Sequence, residues 1–136
     1  MNAKRIIVSG IVAGIVILIV SMALSYLFQA ALNYNVLTLA GMRSVNDPIM
    51  ILFFVFPWII GFALTILFAF AQKSFTGTTT QNGIALGIMG WIVYGIPSAF
   101  IVFSSMNYPL GFTVNSVIGS LVYLLAAGIA IAKLSS

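Results

Sequence analysis

The stretch IIVSGIVAGIVILIVSMALSYL, residues 6–27, carries no charged side chain. A bilayer core about 30 Å thick takes roughly 20 apolar helical residues to cross, so this run is long enough to span one. Lys4 and Arg5 precede it as they would precede a signal peptide. A signal's apolar region is only about 7–15 residues, however, and SYLFQAALN, residues 25–33, offers no small-x-small cleavage pattern. The reading is a retained transmembrane helix.

Working outward, three further runs have the same character, over residues 48–71, 83–103 and 112–132. Backbone polar groups in lipid must be satisfied within the segment, so each run is expected to be a helix. Composition agrees. Charged residues make up 4% of the 136 and hydrophobic ones 62%, with a mean hydropathy of +1.24. Soluble domains carry roughly 25% charged residues, far more than this chain has to cover a surface. The expected fold is all-α: a polytopic membrane protein, a single four-transmembrane-helix bundle over residues 1–136.

Charge placement sets an expected orientation. Lys4, Arg5, Lys73 and Lys133 fall on the side shared by both termini and the middle connection, and Arg43 alone falls on the other. Basic residues favour the cytoplasmic side, which puts both termini there. The scattered basic residues form no clustered face, so nucleic acid is not an expected partner. The lipid bilayer is.

The only acid, Asp47, stands in GMRSVNDPIM, residues 41–50. Asp is a favoured N-cap, and Pro is favoured at the first helical position. Asp47–Pro48 therefore reads as the start of the second span, with Arg43 four positions back as a charge partner. The alternative reading makes Arg43, Asn46 and Asp47, with Asn107 and Tyr108 from the third connection, a shallow polar site at the outer face. Such a site suits a headgroup or another small anion.

Small residues let membrane helices approach closely. Gly10, Gly14, Ser21 and Ser25 form one stripe on the first span. Gly83, Gly87, Gly90, Tyr94 and Pro97 form another on the third, and Ser116, Ser120, Tyr123, Ala127 and Ala130 a third on the fourth. These stripes are expected to face one another, a dimer interface through one of them being the alternative. The second span has aromatic residues on all sides and reads as largely lipid-facing. Pro57 and Pro97 predict kinks. TGTTTQN, residues 76–82, has turn composition and reads as a plain connector. GIVAGIV at 10–16 and GIALGIM at 83–89 echo each other, by duplication of a helical hairpin or by independent solution of one packing problem.

Catalysis needs a titratable group of tuned pKa. The chain has no His, Cys or Glu, and its spans hold no acid. No enzymatic activity, cofactor or metal is expected. RSVNDPIMILFF at 43–54 and YGIPSAFIVFSSMNYPL at 94–110 resemble an uncharacterised family of small prokaryotic four-helix integral membrane proteins, for which no activity is known. That resemblance implies the prokaryotic cytoplasmic membrane and adds no site residue. The functional expectation is a non-enzymatic membrane protein acting through helix packing, as a homo-oligomer or a subunit of a membrane complex. Its alternative is a small transporter, channel or lipid-binding protein for a neutral or anionic ligand.

Overall fold

The computed structural model describes residues 1–136 and contains four helices long and apolar enough to cross a membrane. They are α1 (Ala3–Leu32), α2 (Pro48–Ser74), α3 (Thr79–Ser105) and α4 (Leu110–Ser135). Each expected run lies inside one of them. The protein is an integral membrane protein built as a four-helix bundle.

Local chemistry sets the helix ends. Asn2 caps α1 by accepting the Arg5 N–H at 2.9 Å. The helix stops at Asn33, whose φ of 53° places it in the left-handed region while its N–H bonds the Gln29 carbonyl. Asn tolerates that conformation better than most residues. The expected connector at 76–82 is in part helix. Thr78 Oγ1 accepts the Gln81 N–H at 3.3 Å, and Gln81 Oε1 accepts the Thr78 N–H at 2.9 Å. This reciprocal capping box starts α3 at Thr79, ahead of residue 83.

The N-terminal ammonium donates to Gln72 Oε1 at 3.3 Å, and Ser135 Oγ lies 3.4 Å from Met1 Sδ. Both termini and the α2–α3 connection therefore meet at one end of the bundle, the terminal end. The α1–α2 and α3–α4 connections form the distal end.

Helices in lipid gain little from hydrophobic burial and associate through close packing. Here that packing runs through two glycine contacts. A Cβ on Gly61 of α2 would come within 2.7 Å of the Gly14 nitrogen and 2.9 Å of the Gly10 carbonyl oxygen on α1. A Cβ on Gly87 of α3 would come within 2.7 Å of the Leu125 Cα on α4, and Gly128 of α4 stands equally close to Gly83. Trp58 and Phe62 lay their rings over Gly14 and Gly10. α2 has the extensive lipid contact expected of it, with Phe53, Phe54, Ile59 and Phe70 exposed, and in addition docks one face on α1. Its Pro57, Ile60, Gly61, Leu64, Thr65 and Phe68 are buried, and α1 offers Gly10 and Gly14 to α2 rather than to the other stripes.

The two hairpins bury equivalent positions. Gly10, Ala13, Gly14 and Ile17 of α1 correspond to Gly83, Leu86, Gly87 and Gly90 of α3, 73 positions later, and all eight are buried. The six buried positions of α2 map onto Leu124, Ala127, Gly128, Ile131, Ala132 and Ser135 of α4, 67 positions later, and all six of these are buried. The echo between residues 10–16 and 83–89 is one segment of this longer repeat. Both hairpins enter from the terminal end, the relation seen in parallel repeats of membrane proteins.

The helices depart from regular α geometry in the distal half. α2 begins as a 3₁₀ segment, Pro48–Phe54, and becomes α-helical at Phe56, so Pro57 sits in its first α turn rather than at an interior kink. α3 contains a π segment, Trp91–Gly95, directly before Pro97. The proline ring clashes with the carbonyl four residues back, that of Val93, and widening the turn there relieves the clash. α4 has a second π segment, Asn115–Gly119.

Candidate functional site

Each packing stripe changes character along its length. At the terminal end it is glycine or alanine and closes on a neighbour. At the distal end it is serine or tyrosine and lines a cavity of about 330 Å³. α1 supplies Ser21 and Ser25, α3 supplies Tyr94 and Ser98, and α4 supplies Asn115, Ser116, Ser120 and Tyr123. Much of the remaining wall is apolar, with Met22 and Leu24 of α1, Phe53 and Phe56 of α2, Val102 of α3 and Phe112 of α4 among its residues. Ligand sites occupy roughly 300–1,000 Å³, so the cavity falls at the lower edge of that range.

The hairpin repeat explains the composition of the walls. Ser21 and Ser25 occupy the positions equivalent to Tyr94 and Ser98. Phe53 and Phe56 occupy those equivalent to Ser120 and Tyr123. One hairpin thus presents phenyl rings where the other presents hydroxyls.

Part of this polar surface is satisfied internally. Ser21 Oγ donates to the Leu18 carbonyl at 3.1 Å, Ser116 Oγ to Phe112 at 2.9 Å and Ser120 Oγ to Val117 at 3.0 Å. The Val117 carbonyl, which accepts the Ser120 backbone N–H at the end of the π segment, also accepts the Trp91 indole N–H at 2.9 Å. That bond ties the two π segments together. Tyr94 has its hydroxyl beside those of Tyr123 and Ser98, outside the range of a well-formed bond. The Tyr34 hydroxyl is enclosed next to Asn115 with no hydrogen-bond partner, and burial pushes its pKa up. π segments inside α-helices themselves occur often at functional sites.

The residues singled out at the outer face are elsewhere. Arg43 Nη1 lies 2.9 Å from Asp47 Oδ2, and Asp47 Oδ1 accepts the Ile49 N–H at 3.0 Å. Asn46 and Asn107 are exposed, and Tyr108 packs edge-on against Phe112 with centroids 4.9 Å apart. None of these five lines the cavity. Sequence reasoning found Ser21, Ser25, Tyr94, Ser116, Ser120 and Tyr123 as packing residues. It passed over Ser98. The spacing Tyr94–Ser98, repeating Ser21–Ser25 at 73 positions, was the signal that finds it.

The arrangement defines a four-helix membrane bundle with a chamber in its distal half whose mainly apolar wall carries hydroxyls and one amide. The chamber contains no carboxylate, imidazole, ammonium or guanidinium group. Comparison of the chain with family models, curated proteins and solved structures finds no match to any of them.

Proposed function

We propose that this protein binds an uncharged, lipid-soluble molecule in the distal chamber, as a carrier or sensor of a membrane-resident compound. One observation carries the reading: a half-open cavity of ligand size among four apolar helices, without a charged lining residue and with hydroxyls and one amide set into a mainly apolar wall. Hydroxyls and an amide both donate and accept hydrogen bonds but offer no countercharge, which favours a neutral guest over an ion. The glycine stripes that suggested assembly through packing are engaged within the chain, so they support oligomerisation less than they did as sequence. The chamber is proposed to open toward the outside, since Lys4, Arg5, Lys73 and Lys133 crowd the terminal end.

Ligand-dependent stabilisation tests the reading, because a molecule bound only by the folded state raises the melting temperature by mass action. A monoacylglycerol should stabilise the protein in neutral detergent, and phosphatidylglycerol should do so less. Ser98→Leu, which fills the chamber from a half-buried position, should abolish the shift without changing the melting temperature of the ligand-free protein by more than a few degrees. Equal stabilisation of parent and variant, or none of the parent, defeats the proposal.

A further inference from the structure

If the two hairpins bury equivalent residues, their two mutual seams are expected to match as well. They do not. α1 packs along α4, whereas α2 and α3 barely touch. In place of a second packed seam there is an apolar groove of about 310 Å³ between α2 and α3, nine of whose ten lining residues are hydrophobic. Side-chain size accounts for the difference. Along the groove α2 presents Ile59, Ile60 and Ala63, and the equivalent positions of α4 are Ala126, Ala127 and Ala130. Alanines permit the close approach that isoleucines prevent.

The groove adjoins the chamber. Phe56 and Tyr94 line both, their rings 5.9 Å apart at the junction. Beyond Phe56 the 3₁₀ segment of α2 leans on no other helix and exposes Ile51 and Leu52 by more than half. A route from the bilayer therefore leads along an apolar slot to the Phe56–Tyr94 ring pair, and parting of that pair would join the slot to the chamber.

We infer that the α2–α3 seam is a lateral portal, and that the ligand is a neutral single-chain amphiphile whose tail lies in the groove and whose hydrogen-bonding head lies in the chamber. This rests on the proposed function and narrows its ligand. The apolar groove suits a hydrocarbon chain, the chamber suits a head of hydroxyl, ester or carbonyl character, and neither cavity has a charged lining residue. Access from the side also spares a lipid-soluble molecule any passage through water.

A chain-length series separates the two ideas. Affinities of eight-carbon and eighteen-carbon monoacylglycerols are measured for the full-length protein in one detergent. The long chain should bind the parent about fivefold more tightly, a modest gain because the tail leaves lipid rather than water and only packing rewards it. Ala63→Trp fills the groove from a lipid-exposed position and should remove that preference, bringing the long chain's affinity down to that of the short one. Val93→Trp, on the opposite wall and 74% exposed, should act in the same way and guards against a folding defect in the first variant. Ser98→Leu should weaken both probes. A parent without chain-length preference, or tryptophan variants that keep it, overturns the portal even where Ser98→Leu behaves as expected. Loss of neither probe with Ser98→Leu sinks the chamber reading itself.

Discussion

A carboxylate held by one backbone N–H and one guanidinium prefers to stay ionised. For Asp47 the Ile49 N–H is the larger influence and Arg43 the second, and together they hold its pKa below the ordinary carboxylate value. Because the folded-state pKa is depressed, this stabilisation is fully present above the unfolded value and is lost as the pH falls through the folded one. Stability should accordingly decline at the acid end of the carboxylate range, and Asp47→Asn should remove that decline while remaining folded, since Asn caps nearly as well. Asp47→Ala should destabilise more than Asp47→Asn, and Arg43→Gln should have little effect because Arg43 is more than half exposed. Melting temperatures across an acid pH series measure all three. An Arg43→Gln variant as damaged as Asp47→Ala would mean that the pair, not the cap, holds the start of α2. The cap itself was legible from Asp47–Pro48, because capping is local chemistry. The chamber residues were not legible as a site, because the serines at 21, 25, 116 and 120 fit a packing stripe equally well until backbone separations are known.

At the scale of the helix, the unexpected feature is how firmly α2 is held. Its many aromatic residues suggested lipid contact, and Phe70 and Ile59 do face outward. The decisive position is a single glycine, Gly61, whose small-xxx-small spacing with Thr65 was overshadowed by the aromatic residues around it. Its partner motif on α1 was readable; its choice of partner was not. Gly61→Leu should force α1 and α2 apart and lower stability by at least the roughly 1–3 kcal/mol of an overpacked core. Gly87→Leu should do the same to the α3–α4 contact. Phe54→Leu, at a position 48% exposed, should be mild. Thermal melts in detergent distinguish these outcomes, and a Gly61→Leu protein as stable as its parent would show that α2 does not dock on α1. The π segments divide in the same way. Pro97 announces a local disturbance of α3, but α4 has no proline near Asn115–Gly119 and its π turn is set by tertiary contacts, including the Trp91–Val117 bond.

For the molecule as a whole, the number of spans and the shared end of the two termini followed from hydropathy alone, because span length is a property of the bilayer. The repeat was visible only as a seven-residue echo, since the equivalence lies in which positions are buried rather than in which residues fill them. Orientation gives a third prediction. With the basic residues at the terminal end, a cysteine introduced at Thr78 should resist an impermeant thiol reagent in intact cells, and one at Asn107 should react. The reverse pattern would turn the chamber toward the cytoplasm. The central claim, that the asymmetric meeting of two similar hairpins creates a laterally open site for a neutral amphiphile, is tested most directly by photo-crosslinking in vesicles with two diazirine-bearing monoacylglycerols, one labelled at the head and one in the tail. The account predicts head-group adducts at residues 94–102 and 115–123, and tail adducts at 59–67 and 93. Adducts from both probes spread over the lipid-facing surface in proportion to exposure, on Ile19, Phe70 and Phe103 as much as on the chamber and groove, would contradict it.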